Sequence, residues 1–495
     1  MEGGRAMAMN RISLEFGAWE PDVALLNGTQ APEAKNVVPA KRGYRPMFGT
    51  CPMGFPALSG AVLSGYAMKD VDGNLLTLAA TDGGIYTLEN KQWVQKYSGT
   101  ALSDVREFVE YGAAVYALYG TKLIKSDIDA GNAGEFSEVT GAPGGSVLGV
   151  IRDFVVIGQL SEHRNGIRWS GLDRPDEWPE PGSDDAQYIQ SDIQIFPTGG
   201  KVQAIVGGVG GVDGLIFLER GIQRATYVGT PYIFQFDVVD RERGCLAPHS
   251  PVVCGNTCVY LSEDGWRMTD GASVKGIGVE RIDEWFFQNC ANDRLENVRG
   301  VHDAQNRLAL WTFASDVAPA GVHDRVLIYN YAVDRWSWGE LTTETVFQDY
   351  TRGLTLEDLD AFGDLDHLPF SSLDAAALKN GRKGISCFTG EHKLAGFNGE
   401  TLEAVIDTAE QGGERMMLHG LRPLVDTGAA QALPIYRSRE MDARRFGEYS
   451  KQQRDGVCYQ HLSTVYLSAR VKIPKGEDWS HAAGVEALFE KEGGM

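Results

Sequence analysis

Hydrophobic and polar residues alternate over short stretches in the middle of the chain, and turns rich in Gly, Asp and Asn separate these stretches. Alternation with a period of two is typical of β-strands, so the pattern predicts a series of hairpins. Each unit has an apolar strand, an alternating strand and a third strand that ends in an aromatic residue. Six units follow one another, at 74–99, 105–127, 147–160 with 165–178, 202–229, 251–278, and 298–314 with 325–341.

This serial repetition predicts an all-β fold, a β-propeller of six to seven blades. In such a fold, four-stranded sheets surround an axis and bury their faces against their neighbours. A two-layer sandwich would explain any two units, but it accommodates six in series poorly. We place the propeller core at 51–353, after an N-terminal extended segment at 1–50.

The pattern changes after the sixth unit. We expect an acidic loop at 354–383, in which the stretch 354–374 has six acids and no Lys or Arg. Strands return at 384–408, where they either complete the propeller as a seventh blade or lead outward. The remainder, 409–495, is predicted to form a small C-terminal antiparallel β domain. Its segment 435–475 is clearly cationic, with nine basic and four acidic residues.

The charge and composition of the chain limit the classes of partner that we expect it to bind. The net charge is −21, which argues against general binding to a phosphate backbone but allows DNA to pass without sticking. The seven cysteines are scattered and residues 1–10 lack the apolar core of a secretory signal, so we expect free thiols in a reducing cytoplasm. No run approaches the roughly 18 apolar residues of a membrane span, so none is expected.

The stretch 167–192, "IRWSGLDRPDEWPEPGSDDAQYIQSD", has the residue types of a carbohydrate or metal site. Acids cluster there beside Arg168, Arg174 and two tryptophans. Prolines at 175, 179 and 181 fix the backbone, however, and Trp178 is expected to be buried. We interpret the stretch as a rigid excursion between blades with solvated acids, and keep a catalytic loop as the alternative.

Two motifs resemble cofactor or metal sites only superficially. The stretch 207–214, "GGVGGVDG", has Asp213 where the dinucleotide fingerprint needs glycine, and a strand rather than a helix follows it. It is therefore predicted to be a glycine-rich hairpin. Cys254 and Cys258 have metal-like spacing, but they fall in an alternating strand, and no second Cys or His pair follows at zinc-finger spacing.

Two further motifs are equally incomplete. The stretch 358–366 resembles a calcium loop until Phe362 stands in place of an oxygen ligand, so a solvated acidic loop is expected. The stretch 261–271 faintly resembles an Asp-box, but it fits a hairpin with a packed Trp266. We therefore predict a non-enzymatic protein with no catalytic, cofactor-binding or metal-binding residues, and no cofactor.

Several segments resemble parts of a known protein family. The opening 11–47 resembles the start of tail nozzle or tail tubular proteins from short-tailed (podovirus-type) bacteriophages, and 167–192, 233–252 and 470–486 also resemble parts of that family. The preceding residues depart from the pattern, with Met7 or Met9 as a natural start. The matching residues are Phe16, Gly17, Trp19, Pro21, Asp22, Glu33 to Val37, Pro39, Tyr44 to Pro46, Trp169, Ser170, Pro175, Trp178 and Pro179.

The resemblance implies a structural protein of the virion tail, assembled in the bacterial host cytoplasm. Members of such families are similar to β-propellers with added β domains and form a hexameric ring below the portal and adaptor. The implied partners are further copies of the chain in a homohexamer, the adaptor, and other tail proteins or fibres. DNA would pass through the channel during ejection without sequence-specific binding.

Two other functions stay open from the sequence. One is a propeller that binds or depolymerises host polysaccharide, with 167–192 as its site. The other is a head-completion plug in the same tail. For a ring of anionic subunits, we also hypothesise that the acidic stretch 354–374 and the cationic segment 435–475 contact a neighbouring subunit or an adjoining tail protein.

Overall fold

The computed structural model describes residues 10–24, 28–70, 72–99, 106–129, 131–350 and 382–491. The chain is all-β and forms a β-propeller with an additional C-terminal sheet, which confirms the predicted fold class. Within these ranges, no helix has the length and apolar character needed to cross a membrane.

The N-terminal segment consists of five short strands, four of which pair with much later parts of the chain. Because each has only two to six residues, none could form a stable sheet alone. They are β1 (Asn10–Glu15), β2 (Ala34–Lys35), β3 (Val37–Pro39), β4 (Tyr44–Pro46) and β5 (Cys51–Pro52).

The first four blades follow in sequence order, and each is an antiparallel sheet whose first strand is nearest the axis. Blade 1 has β6 (Val62–Lys69), β7 (Leu75–Thr81), β8 (Gly84–Glu89) and β9 (Gln92–Ser98). Blade 2 has β10 (Arg106–Tyr111), β11 (Ala114–Tyr119), β12 (Lys122–Asp129), β13 (Asn132–Ala133) and β14 (Ser137–Glu138). Blade 3 has β15 (Val147–Ile151), β16 (Phe154–Gly158), β17 (Gly166–Trp169), the helix α1 (Asp184–Ile189) and β18 (Asp192–Ile195). Blade 4 has β19 (Val202–Gly207), β20 (Gly214–Leu218), β21 (Ile222–Gly229) and β22 (Ile233–Asp240).

The next two blades are separated by the helix α2 (Asp283–Asn289) and a 3-10 helix (Asn292–Asn297). Blade 5 has β23 (Val252–Cys254), β24 (Thr257–Ser262), β25 (Gly265–Thr269) and β26 (Val274–Gly276). Blade 6 has β27 (Arg299–Asp303), β28 (Leu308–Phe313), β29 (His323–Asn330) and β30 (Arg335–Thr343). Blade 6 differs from the others because its outer strand continues into the C-terminal sheet.

The seventh unit closes the ring. Its strands are β31 (Thr345–Tyr350), β32 (Lys383–Phe388) and β33 (Leu394–Gly396), and β5 from the N-terminal segment is its outer strand. The strand β31 packs against β6 of blade 1. Most of the predicted acidic loop at 354–383, including the stretch 354–374, lies outside the described residues.

The C-terminal sheet extends from β30 through β2. It contains β34 (Ala404–Asp407), β35 (Gln411–Val425), β36 (Gln431–Arg437), β37 (Arg445–Phe446), β38 (Ser450–Lys451), β39 (Cys458–Ile473) and β40 (Ala482–Lys491). Together with blade 6 and β1 to β4, these strands form one fifteen-stranded sheet. Both alternatives that the sequence left open for 384–408 are therefore observed, because β32 and β33 complete the propeller and β34 leads outward.

The apolar cores lie between successive blades. Separate buried clusters join blades 1 and 2, 2 and 3, 3 and 4, 4 and 5, 6 and 7, and 7 and 1, and the largest cluster joins blades 5 and 6 to the C-terminal sheet. A blade covered on both faces needs apolar residues at successive positions of its middle strand. The strands β11, β20 and β28 are accordingly buried along their whole length.

Candidate functional site

The propeller axis contains a polar cavity of about 260 Å³. The first strands of six blades line it, together with the segment just before β23. It continues into a wider mouth of about 500 Å³ at the face where those first strands begin. The polar side chains in its lining include Ser64, Glu107, Gln203, His249 and Arg299.

An acid, a histidine and an arginine meet in this cavity. Oε1 of Glu107 lies 3.2 Å from Nδ1 of His249, with the two side chains 26% and 31% exposed. Burial raises the pKa of Glu107 to about 7, although the charge of Arg299 acts in the opposite direction. Burial also lowers the pKa of His249 well below its usual value, and Arg299 adds to this effect. Since His249 is neutral at pH 7, its Nδ1–H can donate to an ionised Glu107.

Two further polar groups are held in or beside the cavity. Gln203 is 3% exposed, and its Nε2 donates to the backbone oxygen of Leu246 at 3.3 Å. Its Oε1 has no hydrogen-bond partner within the described part of the chain. At the mouth, Nδ1 of His323 lies 2.8 Å from Oγ1 of Thr312, and burial lowers the pKa of His323 to about 4. A polar cavity of this size is suited to ordered water or a small polar molecule.

The sequence provides no signal for this cluster. Glu107, His249 and Arg299 come from blade 2, the entry to blade 5, and blade 6. No spacing rule connects three residues that far apart, because only closure of the ring brings them together.

The stretch 167–192 contains most of β17 and its connection to β18, so it lies within blade 3 and not between blades as the sequence predicts. Trp178 is 5% exposed, which confirms its predicted burial, and its Nε1 donates to the backbone oxygen of Pro175 at 2.9 Å. The guanidinium of Arg168 donates to the backbone oxygens of Trp178 and Pro179 at 3.0 and 2.6 Å. These bonds hold the proline-rich loop against its own blade.

Two acids of this loop bind blade 2. Asp173 accepts from the hydroxyl of Tyr111 at 3.0 Å, and Asp176 accepts from Tyr116 at 2.8 Å and from Nζ of Lys125 at 2.6 Å. Burial and the adjacent carboxylates raise the pKa of both tyrosines. Asp173 and Asp176 are exposed, as the sequence predicts for acids of this loop, and their oxygens also join one blade to the next.

The motifs that resemble cofactor or metal sites are parts of hairpins. The stretch 207–214 is the turn between β19 and β20, as predicted, with Gly208 at a φ of +69°. Cys254 and Cys258 are buried on the paired strands β23 and β24, and burial raises the pKa of Cys254 to about 12. In the described ranges, no three or more His, Cys, Asp or Glu side chains are grouped so that they could hold a metal.

Of the two remaining motifs, only the stretch 261–271 lies within the residues that the structure describes. Trp266 follows the turn between β24 and β25, and its side chain is fully buried, as predicted. Its backbone N–H donates to Oδ1 of Asp283 at 3.0 Å. The calcium-like stretch 358–366 lies outside the described residues.

The cationic segment 435–475 is partly neutralised by its own chain. Nε of Arg437 donates to Oε1 of Glu410 at 3.1 Å, and Arg470 donates to both oxygens of Asp407 at 2.6 and 2.8 Å. Both acids are buried. Lysines 472 and 475 pair with glutamates 403 and 400. Only part of the positive charge is therefore available to a partner.

Comparisons with known proteins identify no family. No family model matches the sequence, and no curated protein matches it. Among solved structures, the chain is similar to the extracellular domain of a hybrid two-component system from B. thetaiotaomicron, with 10% identity and a TM-score of 0.39 over 84% of this chain and 47% of that one. It is also similar to the N-terminal domain of Nup159, with 11% identity and a TM-score of 0.38 over 73% and 98%. The chain thus spans about half the length of the first structure. The fold assignment rests on the strand topology itself.

Proposed function

We propose that this chain is a structural subunit of a bacteriophage tail, at the nozzle position. In this proposal, six copies form a ring below the portal and adaptor, and DNA passes through the centre of the ring. The support is the family resemblance of the N-terminal segment, together with the role of those same residues in the fold.

The observation that carries the proposal is that the resembling residues fasten the propeller to the C-terminal sheet. Trp19 and Tyr44 are fully buried, and the hydroxyl of Tyr44 donates to the backbone oxygen of Gly17 at 2.8 Å. Nε1 of Trp338, in blade 6, donates to Oε1 of Glu33 at 2.7 Å. The guanidinium of one blade 6 residue, Arg335, donates to the backbone oxygens of Phe16, Gly17, Ala40 and Gly43.

Several of the residues that carry the resemblance are buried and make structural contacts, which favours an architectural role. Residues selected for binding or catalysis are usually at loops or clefts, whereas these contacts fix the N-terminal segment against blade 6 within one continuous sheet. A subunit of a ring needs such a fixed joint, because each copy must present the same surfaces to its neighbours.

The propeller axis is too crowded to be the DNA path. The aromatic rings of Tyr66, Phe108 and Phe347 line the axial cavity together with Arg299. DNA would therefore run between the subunits of the ring rather than through each propeller. With a net charge of −21 per chain, an acidic lining would let DNA slide, since a basic one would hold it.

Electron microscopy and mass photometry of the purified full chain test this proposal. We expect a six-fold ring with an open centre, either alone or after addition of phage particles that lack the tail nozzle. Incorporation of the chain into those particles is the second expected result. A chain that stays monomeric and never joins the particles would overturn the proposal.

One observation favours a polysaccharide-binding propeller as a second candidate. Beside the loop 167–192 lies a cavity of about 450 Å³ that is lined by Glu177, Asp185 and Tyr188. Tyr188 is 80% exposed, and an exposed ring beside carboxylates is able to stack on and hydrogen-bond a sugar. Binding of host polysaccharide that is lost in Tyr188→Ala would support this candidate. If the chain is purely structural, no acid substitution in this loop will alter any polysaccharide hydrolysis.

A further inference from the structure

A second cleft, of about 700 Å³, lies between blades 3 and 4 at the face where the first strands of the blades begin. The turn 196–201, which joins these blades, forms one wall. The turns that follow β16, β20 and β22 complete it. We call it the basic cleft, because its charged lining residues are Arg164, Lys201, Arg220 and Arg241.

The charge of the basic cleft is opposite to that of the whole chain. None of the described residues that line it is Asp or Glu, although the sequence has 67 acids and 46 bases. Nζ of Lys201 lies 3.4 Å from Oε1 of Glu296 and 3.8 Å from Oε1 of Glu219. Its charge is therefore balanced by two glutamates that do not line the cleft.

The three arginines are not balanced in this way. Arg164, Arg220 and Arg241 are exposed, and their guanidinium groups have no ion pair or side-chain hydrogen bond within the described ranges. Three uncompensated positive charges around one concavity repel each other and favour an anion. A ligand that carries more than one negative charge would match them best.

The backbone of the turn is suited to the same kind of ligand. Gly199 and Gly200 have φ values of +98° and +82°, and the N–H of Arg220 donates to the backbone oxygen of Gly199 at 2.8 Å. A Cβ at Gly200 would lie 2.1 Å from Oε2 of Glu219, which is the end of a flexible side chain, so it is the positive φ that disfavours a side chain there. In the described part of the chain, no backbone acceptor takes the N–H groups of residues 198 to 200. Free N–H groups in such turns commonly bind anions.

We propose that the basic cleft binds a ligand bearing phosphate groups. At neutral pH a phosphate monoester carries about −1.5 to −2 charges and three acceptor oxygens, whereas a carboxylate carries a single charge. Arginine binds phosphate oxygens through two parallel N–H donors, which gives both affinity and orientation. The phosphates would come from a small oligophosphate or from a nucleic acid backbone, and the cleft recognises the chemistry that these two sources share. This inference does not depend on the proposed tail role.

Isothermal titration calorimetry of the full chain with pyrophosphate at low salt tests the proposal, because it measures the affinity directly. The test variant is Arg220→Gln, with Arg241→Gln as a second variant if the first unfolds. The matched control is Arg454→Gln, which removes an exposed arginine of the C-terminal sheet. We expect pyrophosphate to bind wild type and control equally, and to bind the cleft variants at least about tenfold more weakly, since each loses charge-assisted hydrogen bonds.

A second titration identifies the source of the phosphates. A ten-nucleotide single-stranded oligo-dT that binds with the same loss in Arg220→Gln indicates a nucleic acid backbone, and binding of pyrophosphate alone indicates a small oligophosphate. Citrate, which has comparable charge without phosphate, is the chemical control. The proposal is overturned if neither phosphate ligand binds, if citrate binds as tightly as pyrophosphate, or if Arg454→Gln weakens binding as much as the cleft variants.

Discussion

Asp22 and Trp285 are joined by a hydrogen bond of 2.9 Å from the backbone N–H of Trp285 to Oδ1 of Asp22. Oδ2 of the same carboxylate accepts from the N–H of Glu284 at 2.8 Å. These donors belong to the first turn of α2, whose preceding residue, Ile282, has no side chain able to accept them. The cap of this helix therefore comes from the N-terminal segment, which is also held by the edge-to-face contact of Trp19 with Trp285 at 4.7 Å.

Asp22→Ala should destabilise the fold through loss of this cap. We expect the free energy of unfolding to fall by about 1 to 2 kcal/mol, the usual cost of removing a helix N-cap acceptor. Asp22→Asn keeps one acceptor oxygen and should cost less. Urea unfolding of both variants checks the prediction, and an alanine variant as stable as wild type would show that the cap contributes nothing.

Trp178→Ala should be more harmful. Its ring is buried between blades 2 and 3, so truncation should cost about 3 kcal/mol or more in the free energy of unfolding. Tyr188→Ala, at an exposed position of the same loop, is the control and should change stability by no more than about 0.5 kcal/mol. Equal thermal unfolding of the two variants would contradict the structural role of Trp178.

Glu107 makes stability depend on pH in a defined direction. Burial raises its pKa from 4.5 to about 7, so between these values the folded state binds more protons than the unfolded state, and stability falls as pH rises. Below pH 4.5 this cost is absent, and above pH 7 it is complete. Glu107→Gln should therefore gain stability relative to wild type from pH 5 to pH 8, by about 2 kcal/mol.

Urea unfolding at pH 5 and pH 8 measures this change. The exposed Glu135→Gln is the matched control, and its difference from wild type should stay constant across the same range. A Glu107→Gln variant whose difference from wild type is the same at both pH values would show that Glu107 titrates normally in the folded state.

Reversing the charge of arginines in 435–475 should separate folding from assembly. Arg437→Glu breaks the pair with the buried Glu410 and places a second acid beside it, so we expect a loss of about 3 to 5 kcal/mol and little folded protein. Arg439 and Arg445 are exposed, and their reversal to Glu should leave the monomer folded.

If the cationic segment contacts a neighbour, the double variant Arg439→Glu with Arg445→Glu will be depleted from tails or rings. Circular dichroism confirms that the variant is folded, and quantitative gel analysis of assembled particles measures its incorporation. Normal incorporation would mean that these two arginines are exposed to solvent in the assembly and contact no neighbour.

The local pattern of the sequence determined the blades. Hairpins such as β19–β20 are set by contacts between residues close in the chain, and uniformly apolar middle strands such as β28 follow from burial on both faces. Burial of Trp178 and Trp266 was predictable for the same reason, because prolines and an Asp-Gly turn fix their immediate surroundings. These features need no knowledge of the distant chain.

Only the tertiary structure decided which distant residues meet. Closure of the ring brings Glu107 to His249, the joint with the N-terminal segment brings Asp22 to α2, and pairing within the C-terminal sheet brings Arg437 to Glu410. Glu107, Asp22, Arg437 and Glu410 were ordinary charged residues in their local sequences. Pairing between residues 100 or more positions apart depends on how blades and sheets stack. Arg437 and Glu410 are only 27 positions apart, yet the pattern of charges along the sequence did not predict that they pair. Local periodicity specifies strands, whereas side-chain partners depend on packing that the local pattern does not contain.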